Sequence, residues 1–197
     1  AGQPVFNPDE DKGLFFLVED SLSAKHPDNS HLKAHNRRME RIREIIRTDK
    51  KAAARVGIGK KVPPIKLPGI NDEPISISSL QGNPVILFFW ASWSPESSAD
   101  LQMLKQLYNW YQDSGLEVYA VSLDHNPEFW KAAVKVEELS WVNVNDRAGM
   151  RGPTANLFNL GEKFPYYFLI DESGKIIDKT AGFSVLEESV KELLHIG

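Results

Sequence analysis

"VILFFWASWSPESSADL" occupies residues 85–101. Val85–Trp90 is a continuous apolar run, the pattern of a strand buried on both faces. Ser94 and Pro95 follow almost at once, and serine at an N-cap with proline at the first helical position is a strong helix start. The helix so begun runs over Pro95–Ser114, with Leu101, Leu104, Leu107, Tyr108 and Tyr111 on one side. A helix N-terminus carries partial positive charge and N–H groups that lack intrahelical partners. A cysteine there has its pKa lowered to roughly 3.5–7.5 and becomes nucleophilic near neutral pH. A second cysteine three residues on lies one turn further, close enough to close a disulfide. Ser94 and Ser97 stand at those two positions. The stretch has the shape of a redox site with hydroxyls in place of thiols, although capping alone also accounts for Ser94.

Working outward, the chain alternates strand and helix. Before the run, Ile65–Leu67 and Ile75–Ile77 read as short strands around a turn with Pro68, Gly69, Asn71 and Asp72. After it, Leu116–Leu123 is an apolar strand, and Pro127–Leu139 a helix with proline in its first turn. Trp141–Val144 is a short strand and Thr154–Phe158 a short helix. Tyr166–Ile170 and Lys175–Asp178 form a hairpin around Asp171–Gly174, and Ser184–Leu194 is an amphipathic helix. The pattern predicts an α/β domain with a mixed central sheet flanked by helices. Its first strands are parallel with crossover helices, and its last two are antiparallel. Residues 1–56 read as a helical extension, with 57–197 as the domain. In the extension, Leu14, Phe15, Leu17, Val18 and Leu22 mark one helical segment. Ser30 is read as the cap of a second, whose apolar positions are Leu32, Met39, Ile42, Ile45 and Ile46.

Composition narrows the function. The chain has 197 residues, 42% hydrophobic and 25% charged, with 23 basic and 27 acidic residues, 23 − 27 = −4. That balance is too mild to call for a nucleic-acid or membrane partner. The longest apolar run is about half of the roughly 20 residues that span a bilayer. No signal peptide is visible, and a start without Met points to a processed or truncated product. Cysteine is absent altogether, which excludes disulfides, thiolate metal sites and thiol chemistry by this polypeptide.

Beyond these patterns, "FFWASWSPES" resembles the thioredoxin-like family of the TlpA/ResA type, whose members read F-W-A-S-W-C-P-x-C here. The likeness extends over "VPPIKLPGINDEPISISSLQGNPVILFFWASW" and "SWVNVNDRAG…ANLFNLGEKFPYYFLIDESGKII". It implies a thioredoxin-like fold and an extracytoplasmic thiol–disulfide oxidoreductase ancestry, in the periplasm or cell envelope of a bacterium, without a cofactor. Ser94 and Ser97 take the redox-cysteine positions, and Asp100 the place of a glutamate that assists proton transfer. Pro165 matches the family's cis-proline, and Phe164 the residue whose backbone flanks a bound peptide. Trp93, Pro95, Glu96, Phe164, Pro165 and Tyr166 would then line a groove for a protein or peptide, with Trp90 and Phe168 in the core. The N-terminal helices resemble a segment of surface lipoproteins from gut bacteria, which implies a lipid-anchored precursor. Glu96 departs from a redox design, because a carboxylate there opposes thiolate formation.

Other constellations are weaker. A hydrolytic role for Ser94 would need a base, and neither a G-x-S-x-G elbow nor a placed His125 or His195 supplies one. His26, His31 and His35 lack a carboxylate at matching spacing and read as exposed helix residues, so no metal is expected. The arginines of 37–55 alternate with Glu40, Glu44 and Asp49 and lack interleaved aromatics, which argues against nucleic acid. Serine itself decides the chemistry. A hydroxyl has a far higher pKa than a thiol, and a helix dipole worth up to ~2 kcal/mol cannot close that gap. Two readings stand: a redox-silent relative that binds polypeptide, or an active thiol–disulfide oxidoreductase present as a double Cys→Ser form.

Overall fold

The computed structural model describes residues 29–160, 164–180 and 182–194, with isolated positions 13, 17, 21, 22, 24 and 25 before them. The apolar segment expected over Leu14–Leu22 therefore lies largely outside the described residues, as do His26, His195 and the side chains of His31 and His35. The chain divides into two compact units, Ala1–Lys50 and Lys51–Gly197. Helix α1 covers Ser30–Arg55. Ser30 is its first helical residue rather than its cap, since the Asn29 carbonyl accepts the first bond, from Lys33 N–H at 3.0 Å. Glu44 and Arg47 pair at 3.1 Å on its exposed face, at the i,i+3 spacing that favours such contacts.

In the second unit, β1 (Lys66–Pro68) and β2 (Pro74–Ser76) form a hairpin. The central sheet contains β3 (Val85–Trp90), β4 (Glu117–Ser122), β5 (Val142–Asn145), β6 (Tyr166–Ile170) and β7 (Ile176–Thr180), in the order β5-β4-β3-β6-β7. β3, β4 and β5 run parallel, whereas β6 and β7 are antiparallel to their neighbours. The connections are α2 (Pro95–Tyr111), α3 (Pro127–Val136) and α4 (Pro153–Leu157), and α5 (Phe183–Leu193) follows β7.

All six residues of β3 are buried, because the sheet is covered on both faces. Ile86, Phe88 and Trp90 pack with Leu101, Leu104 and Leu107 of α2, Trp130 and Val134 of α3, and Leu186 and Val190 of α5. Val85, Leu87 and Phe89 face the other way, toward Val56, Ile65, Ala155, Phe158 and Phe168. Each fully buried Val, Leu, Ile or Phe contributes about 1.5–3 kcal/mol. Trp90 and Phe168 are core residues, each 1% exposed.

Several element ends differ from the sequence reading, and α2 stops at Tyr111, with a 3-10 turn over Gln112–Ser114. α3 stops at Val136 rather than Leu139, because Glu138 adopts a left-handed φ of 52° and Leu139 N–H returns to the Val134 carbonyl. That is a Schellman ending built without glycine. β5 begins one residue late, at Val142, and β7 covers Ile176–Thr180. Both sheet edges are partly covered. Gly69 of the hairpin bridges to Val144 on β5, and the Gly59–Lys60 backbone bonds to Ile176 on β7.

Candidate functional site

The site lies where β3 ends and α2 begins. Ser94 has extended backbone (φ −94°, ψ 118°), and its Oγ accepts the Ser97 N–H at 3.1 Å, with Pro95 in the first turn. The same hydroxyl donates to Glu96 Oε2 at 3.0 Å. Glu96 is therefore held below the usual carboxylate range, first by its own backbone N–H and then by Ser94. Ser97 is fully buried, and its Oγ accepts the Ala91 N–H at 3.3 Å, latching the loop back onto the strand end. Ser94 is 2% exposed, and both hydrogen-bonding directions of its hydroxyl are already used. This is a capped helix start whose hydroxyl proton rests on Glu96, a carboxylate held below its usual range and therefore a weak base.

Asp100 makes no hydrogen bond to Ser97. Its Oδ2 accepts the Tyr167 hydroxyl at 2.7 Å, joining α2 to β6. Burial raises the Asp100 carboxyl above its ordinary value, and the Tyr167 hydrogen bond opposes that shift only in part. Tyr167 is fully buried and its phenol is pushed well above the ordinary range, by burial first and then by the neighbouring carboxylate.

On the surface, Trp93 stacks on Phe164 with centroids 5.7 Å apart and planes 19° from parallel. Trp93 is nonetheless 61% exposed. The Phe164–Pro165 peptide bond is cis. Among the described residues, the backbone N–H and C=O of Phe164 have no hydrogen-bond partner. Tyr166 is placed differently from its expected neighbours. It opens β6 opposite Phe89, and its ring lies 5.3 Å from Phe168, so it leans on the core rather than on Trp93. His125 donates from Nδ1 to the Arg147 carbonyl at 3.0 Å, its ring lies against Gly149, and it makes no hydrogen bond to Ser94.

Sequence reasoning missed a buried polar group directly behind the loop. Asp124, 2% exposed, accepts from Ser92 N–H (3.0 Å), Ser92 Oγ (2.7 Å) and Ser122 Oγ (2.7 Å). The partners come from two segments, Ser92 in the loop after β3 and Ser122 at the end of β4, and the β3–β4 register brings them together. Among the described residues, no group of three acidic or histidine side chains could hold a metal, and no helix is long and apolar enough to cross a membrane. A cavity lined by Lys61, Pro64, Ile77, Asn83 and Ile170 lies at the opposite end of β3.

With this geometry in view, known proteins give a consistent comparison. Residues 58–179 match the model of the AhpC/TSA family. The chain is 28% identical over 139 residues to the thiol-disulfide oxidoreductase ResA of Bacillus thuringiensis subsp. konkukian, covering 69% of this chain and 78% of that one. Among solved structures, it is similar to a thiol-disulfide oxidoreductase from Bacteroides fragilis, at 30% identity and a TM-score of 0.63, covering 68% of this chain and 99% of the other. A C-terminal domain from Bacteroides thetaiotaomicron matches with a TM-score of 0.66 at 27% identity, over 73% of this chain and 99% of that domain. The sheet order, the helix that starts at Ser94 and these matches agree. The chain belongs to the AhpC/TSA family, within its thioredoxin-fold thiol–disulfide oxidoreductases.

Proposed function

We propose that this chain is a redox-silent member of its family that binds extended polypeptide at the face formed by Trp93, Phe164 and Pro165, in an extracytoplasmic compartment. One observation carries the reading: the junction of β3 and the capped start of α2 is fully formed while the whole chain has no cysteine. Ser94 and Ser97 are engaged as a cap and a latch, and Trp93 leaves a large indole surface in water. A partly solvated aromatic pair, beside backbone groups that have no partner among the described residues, suits an extended chain, which binds by main-chain hydrogen bonds and side-chain anchoring. The relatives' thiol chemistry would then survive only as a surface. The compartment rests on the family resemblance.

Two measurements test it. In an insulin turbidity assay with dithiothreitol, the protein should add nothing to the reagent's own rate, and protein-dependent turnover would overturn the redox-silent reading. In fluorescence anisotropy with a labelled, reduced and carboxymethylated polypeptide, the protein should bind. Trp93→Ala should weaken that binding by about thirtyfold, the scale of an interface hot spot of ~2 kcal/mol. An absence of binding by the parent protein would remove the proposal.

A further inference from the structure

Asp124 is a buried carboxylate for which the site just described has no chemical use. Its three side-chain bonds come from neutral donors, two on Ser92 and one on Ser122. Burying a carboxylate without a cation is costly, so the arrangement invites a reason. Asp124 is itself anchored at the ends of β4 and β5. Its N–H donates to Ser122 Oγ at 3.0 Å, and its carbonyl accepts Asn145 Nδ2 at 2.9 Å. Asn145 Nδ2 also reaches Ser122 Oγ at 3.0 Å, and Asp146 N–H donates to the Ser122 carbonyl at 2.8 Å. What this fixed base holds is the loop between β3 and α2. Ser92 is gripped through backbone and side chain at once, which restrains both its peptide plane and its rotamer. The next residue is Trp93, whose indole is mostly solvated and whose ring contact among the described residues is Phe164.

We infer that Asp124 is a positioning residue: through Ser92 it holds the Trp93 indole in place on Phe164, ready to receive a polypeptide. The consequence for binding rests on the reading in the preceding subsection, whereas the clamp itself can be tested without it. A carboxylate that merely stabilised the domain would need its Ser122 donor as much as its Ser92 donors. A positioning carboxylate acts on the indole directly through Ser92, and Ser122 bears on it only at second hand, by anchoring the base.

The five tryptophans permit a clean readout. Trp90, Trp130 and Trp141 are 1%, 0% and 6% exposed, and Trp110 is 62% exposed. In the full chain with Trp110→Phe, Trp93 is therefore the solvated indole that iodide can quench. Ser92→Ala and Asp124→Asn should increase iodide quenching. They should also add a fast nanosecond component to the anisotropy decay, the timescale of loop motion. Ser92→Thr, which keeps both donors, should restore the parent signal. Ser122→Ala, which leaves both Ser92 donors on the carboxylate, should lower the thermal midpoint and move Trp93 clearly less than Ser92→Ala does. If Ser92→Ala and Asp124→Asn leave Trp93 as in the parent, or if Ser122→Ala moves it equally, the positioning role is wrong. Ser92→Ala retains the buried carboxylate and tests the clamp even if Asp124→Asn fails to fold. In the same variants, binding of the labelled carboxymethylated polypeptide should weaken with Ser92→Ala and recover with Ser92→Thr. A parent that binds no polypeptide, yet shows the fluorescence pattern, overturns the binding reading and leaves the clamp standing.

Discussion

Ser94 carries out at the oxygen atom what a helix start requires, accepting Ser97 N–H while its own proton goes to Glu96. Replacing an N-cap serine by alanine costs about 0.5–2 kcal/mol. Ser94→Ala should accordingly lower the urea-unfolding free energy by about 1 kcal/mol, with polypeptide binding nearly unchanged because the hydroxyl is buried. Asp100 behaves in the opposite sense to a paired carboxylate. Its folded-state pKa is raised, chiefly by burial, so its stabilising contribution is complete below the ordinary carboxylate value and is lost as pH rises through the raised one. Asp100→Asn removes that dependence. The variant should be at least as stable as the parent at pH 7, and its advantage should shrink as urea titrations are taken down toward pH 4. An advantage that grew at low pH would contradict the assignment. Neither the Asp100–Tyr167 bond nor the Asp124 clamp was legible in the sequence. The first joins residues 67 apart and the second spans 32, and both depend on strand register, which no local pattern encodes.

At the scale of elements, the junction of β3 and α2 was the most readable part of the chain, because it is written in local terms. An apolar run, a capping serine and a proline each act within a few residues, and β3, Ser94 and α2 all appear where those signals put them. The end of α3 was less readable, since the left-handed residue that stops it is Glu138, without the usual glycine or asparagine. The junction's integrity leads to a test. Ser94→Cys with Ser97→Cys should close an internal disulfide on mild oxidation, seen by mass spectrometry as the loss of two hydrogens. If both thiols remain open to alkylation under oxidising conditions, the junction does not hold the two positions as the family does.

Over the whole molecule, the hairpin tip is tied to two distant places. Asp72, with a left-handed φ of 63°, receives Lys131 of α3 at 3.1 Å and Arg147 after β5 at 2.6 Å. These contacts hold its carboxyl below the usual range, the Lys131 hydrogen bond first. The tie secures the hairpin over the edge of β5, which would otherwise be open to another strand. Asp72→Ala should leave the thermal midpoint almost unmoved, since exposed ion pairs contribute little. It should nevertheless speed hydrogen exchange in β5 relative to β3, and uniform exchange rates across the sheet would count against it. Ser94's cap has one further consequence, for the direction in which such a molecule can change. A neutral thiol is a weak acceptor, so one oxygen-to-sulfur step at position 94 loosens the start of α2 before any benefit appears. The sulfur it leaves is as buried as the Ser94 oxygen and has no resolving neighbour, so the single step gives a weaker cap and no exchange chemistry. A change to two thiols therefore passes through a single-cysteine state that is less stable than either end and gains nothing in return, so the double serine state resists one-step change.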